Sequence, residues 1–178
     1  MIAAADRKRL LDLAREALIA RVRAQRAPVA PADLNLPASG AFVTVYCHGE
    51  LRGCLGTLDA REPLAEAIVR LGGEVAGNDY RFEPLRADEL PQIVLDVSIL
   101  TPPQQVRDPS EIVIGRDGLI VEQGTRKGLL LPQVATEHCW DRDTFLAHTC
   151  AKAGLPPDAW RKGATILRFE AEVFGDGD

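Results

Sequence analysis

The chain has 178 residues, 46% of them hydrophobic and 26% charged, with a net charge of −5; this suits one domain with a sizeable core, or a domain with a small subdomain. Its Lys and Arg are scattered rather than clustered, so nothing in the charge pattern points to nucleic acid. No run of about 18 apolar residues occurs, and charges interrupt the N-terminal "MIAAADRKRLLDLAREALIARVRAQ", so neither a membrane span nor a signal peptide is expected, and the expected location is cytoplasmic.

Residues 6–26 read as a helix, with Leu11, Ala14, Leu18 and Val22 at three- and four-residue spacing and Asp6 as its N-cap. Residues 27–40, with three prolines in "APVAPADLNLPASG", read as an extended connection. Two strand-like runs follow in "AFVTVYCHGELRGCLGTL". Residues 63–76 read as a helix with Pro63 in its first turn and glycines weakening its middle. "PQIVLDVSILTPPQQV" reads as a buried strand ended by Pro102 and Pro103. Residues 111–135 read as short strands separated by turns at Arg116-Asp117-Gly118 and at 124–128. "DRDTFLAHTCAKAGL" reads as a helix stopped by Gly154, and "ATILRFEAEVF" alternates like a terminal strand. Hairpin-length connections between adjacent strands favour an α+β fold with antiparallel pairing.

The four cysteines are Cys47, Cys54, Cys139 and Cys150. In a chain that is not exported they are expected as thiols. No CxxC pair or other ligand spacing recurs, and no Walker loop or dinucleotide fingerprint is present, so neither a metal nor an organic cofactor is expected.

The candidate chemistry lies in the hairpin. Taking His48-Gly49-Glu50 as a three-residue turn pairs Tyr46 with Arg52 and Thr44 with Cys54. Side chains alternate along a strand, so Leu51, Gly53 and Leu55 share one face and Arg52, Cys54 and Gly56 the other. Cys47 falls with Val43 and Val45; Cys54 lies among Thr, Tyr and Arg. Arg52 and Cys54 are roughly 6.5 to 7 Å apart between Cα atoms, a spacing at which a guanidinium lowers a thiol pKa. Gly53 and Gly56 would let a ligand or another backbone approach closely. The alternative is that Cys54 is a small buried hydrophobe and the glycines mark a bulge or helix packing. His48 is on the order of 10 Å from Cys54 by strand rise, too far for a hydrogen bond, so any histidine serving the thiol would be His138 or His148. His138 precedes Cys139 and Trp140 at a junction that can line a pocket. His148 and Cys150 are two apart on a helix and do not face the same way. In "NDYRFEPL", Asp79 and Arg81 read as a local ion pair anchoring a loop, or, with Phe82, as a binding rim beside the hairpin.

Taken together, "LRGCLGTL", "DYRFEPL", "IGRDGLIVEQG", "LLLPQVATEHCWD" and "CAKAGL" resemble the AMMECR domain family in order and spacing. The resemblance runs from about residue 8 to 174. It implies a single domain over 1–178: an antiparallel sheet flanked by helices, with a smaller subdomain. It carries the family's Leu-Arg-Gly-Cys positions onto Leu51, Arg52, Gly53 and Cys54, and its Asp-x-Arg-Phe positions onto Asp79, Arg81 and Phe82. It also implies a frequent genomic association with a Memo-type protein and a radical S-adenosylmethionine protein, which are the partners expected. The resulting expectation is a component of a multi-protein system with a Cys54–Arg52 thiolate site and a peptide among its substrates. The alternative is a non-catalytic module whose hairpin face docks a peptide or partner protein.

Overall fold

The computed structural model describes residues 2–58 and 61–177. The chain divides into two compact units: Met1–Leu100 with Glu172–Asp178, and the smaller Thr101–Ala171. The strand pairs within them are antiparallel and helices pack against the strands, so the fold is α+β.

In the first unit, α1 spans Ala4–Val22 and buries Leu10, Leu13, Ala14, Ala17 and Leu18. Ala14 and Leu18 are buried as expected, while Leu11 and Val22 lie part-buried at the margin of the stripe. Ala3, not Asp6, is the N-cap. Asp6 instead lies in the first turn, where its charge suits the positive end of the helix dipole. The helix ends four residues before the expected boundary, at Val22, and Ala24 takes a positive φ of 51°. Between α1 and the first strand, a 3-10 turn at Ala32–Leu34 plugs Leu34 into the core.

Strands β1 (Gly40–Cys47), β2 (Glu50–Thr57) and β3 (Ile93–Leu100) form a sheet with β1 in the centre. Val43, Val45, Leu95 and Val97, all wholly buried, pack against α1 and against α2, Leu64–Val75. α2 runs unbroken through Gly72 and Gly73. A Cβ on Gly72 would stand 2.5 Å from the Ala14 carbonyl oxygen. The glycine that weakens the helix locally is what lets the two helices cross backbone to backbone.

In the second unit, β5 (Asp117–Gln123) pairs with β6 (Arg126–Leu130) and with β7 (Thr165–Gly175), and β4 (Gln104–Gln105) pairs with β7. Both expected turns are narrower or displaced. The first lies at 114–116, because Asp117 already opens β5 and its carboxylate accepts from the Val113 amide and the Arg116 guanidinium. The second is only Gly124-Thr125, since 126–128 pair with β5. "PQVA", expected at the end of the strand region, opens a short helix, α3 (Pro132–Glu137), with proline in its first turn. α4 (Arg142–Lys152) is capped by the Asp141 side chain on the Thr144 amide, and Gly154 follows it at φ 71°. It buries Phe145, Leu146, Thr149 and Cys150. β7 continues into the first unit, where Phe174 joins the core.

Gly72→Ala should lower stability by about 1–3 kcal/mol, the usual cost of forcing extra volume into a packed contact. Gly73→Ala, whose added carbon would meet nothing closer than 3.9 Å, should raise stability by up to about 1 kcal/mol through helix propensity. Urea unfolding of the pair tests this; shifts of the same sign and size would mean the helices do not cross at Gly72.

Candidate functional site

The hairpin is built differently at its tip from the sequence expectation. His48 and Gly49 form a two-residue turn with φ values of 54° and 81°, the combination of a type I′ turn whose twist matches the strands. Glu50 is already in β2 and faces Cys47; Tyr46 faces Leu51, and Val45 faces Gly53. Arg52 is therefore the extra residue of a β-bulge. The expected Tyr46–Arg52 pair does not form, and Leu51 leaves the face of Gly53 and Leu55 to stand opposite Tyr46. Beyond the bulge Thr44 faces Cys54, as the sequence reading has it.

β2 is an edge strand of this sheet, so the outward peptide groups beside β1 need other partners. At Cys54 they are supplied by side chains. Asp79 Oδ2 accepts from the Cys54 amide at 2.9 Å, and Arg81 Nη2 reaches the Cys54 carbonyl at 3.4 Å. Arg81 also grips Asp79 with Nε and Nη2, at 2.9 and 2.7 Å, and its amide donates to Oδ1. Asp79 is only 4% exposed. The hydrogen bonds from Arg81, together with those from the two amides, hold its carboxyl well below the usual carboxylate range despite burial. Phe82, half-buried, carries the Arg81 guanidinium 5.4 Å over its ring.

Arg52 clamps the same segment further on. Its Nε and Nη2 meet the Glu89 carboxylate at 2.8 and 3.2 Å, and its Nη1 and Nη2 meet the carbonyls of Glu83 and Pro84 at 2.7 and 3.4 Å. This ion pair lowers the Glu89 pKa. The cation in electrostatic contact with Cys54 is Arg81; the Arg52 guanidinium is directed to the 83–89 segment. At both glycines the space that a Cβ would fill is taken by the chain itself. A Cβ on Gly53 would press on the Val75 carbonyl and side chain at the end of α2, and one on Gly56 would overlap the Phe42 ring. Both are needed for close packing within the chain.

The thiol stands on the sheet face away from α1 and α2. Register places Cys54, Thr44 and Asp96 in one row across the three strands, with Gly56, Phe42 and Ser98 in the row on one side and Leu51, Tyr46 and Val94 on the other. Cys54 is half-exposed, and the Thr44 hydroxyl donates to its Sγ at 3.3 Å. Burial, then the charges of Asp96 and Cys54, push the Tyr46 pKa up. Leu51 and Val94 are 41% and 42% exposed, so this row presents apolar surface. His138 belongs to the second unit. It stacks on Trp140 at 4.8 Å between ring centroids, and His148 stacks on the indole at 3.9 Å. Cys139 is exposed and Cys150 buried. Among the described residues no group of three or more His, Cys, Asp or Glu side chains is arranged to hold a metal ion, and no helix is long and apolar enough to cross a membrane.

The family model for AMMECR1 matches residues 11–174. The chain belongs to the AMMECR1 family. Among relatives of this AMMECR1 protein, MJ0810 of Methanocaldococcus jannaschii is 49% identical over 144 residues, covering 76% of this chain and 72% of the relative. A Methanothermobacter thermautotrophicus protein is 42% identical over 175 residues, covering 93% and 91%. The crystal structure of the uncharacterized protein PH0010 from Pyrococcus horikoshii superposes with a TM-score of 0.79 at 38% identity, covering 98% of this chain and 93% of that one.

Three residues around Cys54 in this AMMECR1 protein escape the sequence reading as candidate site members. Thr44 is visible there as the cross-strand partner of Cys54. Asp96 is visible as the charged residue in an apolar run. Glu89 leaves no signal, because a contact 37 residues from Arg52 in sequence has no local pattern.

Because Asp79 has a depressed pKa when folded, its contribution to stability is complete above its unfolded value near 4. That contribution is lost as pH falls toward the lower folded value. Asp79→Ala should cost about 2 kcal/mol at neutral pH and flatten the acid limb of stability against pH between about 5 and 2. Urea titrations across that range check it; an unchanged acid limb would mean the clasp does not form. Arg52→Ala should also destabilise, by about 1.5–3 kcal/mol for its lost charged hydrogen bonds, rather than behave as a surface substitution.

Proposed function

We propose that this AMMECR1-family protein is a component of a multi-protein system and that Cys54 is its reactive thiol. One observation carries the reading: a half-exposed thiol accepts a hydrogen bond from Thr44 while its own peptide group is pinned by Asp79 and Arg81. The Thr44 hydroxyl on Sγ and the Arg81 guanidinium at the peptide carbonyl give the thiol fixed polar neighbours. Pinning the backbone fixes where Sγ points, which is what a positioned nucleophile requires. The partners proposed are the Memo-type and radical S-adenosylmethionine proteins, with a peptide among the substrates. They would meet the face that holds Cys54, Tyr46 and Asp96.

A docking role for the same face is favoured by a different feature, the exposed Leu51 and Val94 on either side of Tyr46. On that reading Cys54 contributes shape rather than chemistry. The two readings separate on alkylation. In the folded chain, iodoacetamide should modify Cys54 faster than it modifies the buried Cys150, and Thr44→Val should slow that modification by removing the hydroxyl from Sγ. Modification only after denaturation would end the thiol reading. Cys54→Ala should then co-purify with its partners yet lose joint activity, whereas Leu51→Asp should lose the complex.

A further inference from the structure

We infer that the groove between the C-terminal halves of α1 and α2 receives an acidic segment of a partner protein, with one aliphatic side chain of that segment on its floor. The inference is independent of the thiol reading. Both helices cover the sheet face of Val43 and Val45, whereas Cys54 stands on the opposite face. The groove encloses about 320 Å³. Ala17, Val69 and Gly73 form its apolar part, and Arg21, Gln25 and Asn78 stand around them. A Cβ on Gly73 would meet nothing closer than 3.9 Å, so a larger side chain there would enter the groove.

Charge decides the occupant. Elsewhere in this unit cations stand on carboxylates: Arg7 on Glu172, Arg9 on Asp33, Arg15 on Asp176 and Arg86 on Asp88. Among the described residues, Arg21, Arg23 and Arg26 have no carboxylate partner, and all three are exposed. Arg21 lines the groove, and Arg23 and Arg26 flank its Gln25 in the chain. The C-terminal end of α1 brings only about half a negative charge to this place. Most of the three positive charges is therefore uncompensated, in a chain whose net charge is −5. Arg70, also on the groove, adds nothing to the excess, because Glu62 and Glu74 hold its guanidinium. A positive rim on an acidic protein steers and orients an anionic partner.

The lining selects among anions. No aromatic ring lines the groove, so a nucleic-acid base has nothing to stack on, and the acidic remainder of the chain opposes a long polyanion. A peptide with an aliphatic residue between acidic ones suits both parts of the groove. Its apolar side chain would bury against Ala17 and Val69, and its carboxylates would meet the arginines. The side-chain amides of Gln25 and Asn78 make no hydrogen bond among the described residues, which leaves them for the backbone of such a segment.

The experiment is fluorescence anisotropy of the full chain with a fluorescein-labelled peptide, Glu-Glu-Leu-Glu-Asp-Leu-Glu-Glu. The controls are the same peptide with lysine at every acidic position and an oligothymidylate of equal length. The acidic peptide should bind roughly tenfold tighter than either control at low salt, and added salt should weaken it. Reversing the rim with Arg21→Glu, Arg23→Glu and Arg26→Glu together should weaken binding by roughly tenfold or more. Arg107→Glu with Lys152→Glu, a reversal of exposed cations in the second unit, should leave it unchanged. Gly73→Leu should weaken binding with no change of charge. Equal binding of the lysine peptide or of the oligothymidylate overturns the inference. So does equal loss on reversal in the second unit, or full affinity in a folded Gly73→Leu chain. The rim reversal, at three exposed positions, decides the matter whether or not Gly73→Leu folds. Cys54→Ala should bind the peptide as the wild type does, so a failure here and a failure of the thiol reading are told apart.

Discussion

A carboxylate buried to 4% exposure keeps its charge only if donors surround it, and Asp79 finds them in the Arg81 side chain and in the amides of Cys54 and Arg81. Much of the site follows from that requirement. The donor at Cys54 belongs to an edge strand whose outward peptide group would otherwise face solvent or another chain. Asp79 and Arg81 together offer it one acceptor and one donor, as a neighbouring strand would. The segment after α2 thus lies along β2 through side chains rather than through a ladder. That satisfies the edge without a further strand and blunts it against pairing with other molecules.

The bulge at Arg52 belongs to the same arrangement. A two-residue turn with a regular hairpin would have set Thr44 opposite Gly53, one residue out of step, and every later side chain of β2 would have changed faces. The inserted residue restores the register, so Cys54 stands beside Thr44 and Gly53 turns toward the end of α2. It also releases Arg52 from cross-strand pairing to hold Glu89 and the carbonyls of Glu83 and Pro84. Two arginines from opposite sides, Arg52 on the strand and Arg81 on the loop, secure one segment against one edge.

The same bulge explains what the sequence can and cannot disclose. The Thr44–Cys54 pairing is legible although the turn is not, because a three-residue turn and a two-residue turn with one bulged residue count the same number of positions. The helices α1, α2 and α4 and the buried strands are legible from periodicity. The Arg52 partners are not, since a guanidinium reaches well beyond its own strand and its targets are two carbonyls and a distant carboxylate. Gly53 and Gly56 are legible as places of close approach, but a sequence does not say whose atoms approach; Val75 and Phe42 fill those spaces. In the second unit, "PQVATE" sits after a run of leucines that reads as strand, and only the proline marks the helix start. His138 is legible as a junction residue but not as one half of a stack on Trp140.

Placement on a strand also constrains the chemistry open to Cys54. At a helix N-terminus, amides point along the axis toward a thiolate and toward whatever it attacks. On a strand, amides lie in the plane of the sheet while side chains stand out of it. A reagent approaching the face of β1, β2 and β3 therefore meets side chains and few backbone donors. The one amide beside Cys54 that the ladder leaves outward is drawn aside by Asp79. What the reagent does meet is a thiol with the Thr44 hydroxyl on its sulfur, the Asp96 position in the same row and apolar groups in the rows beside it. The edge position that demands the Asp79–Arg81 clasp therefore leaves the approach to Cys54 governed by side chains rather than by backbone donors.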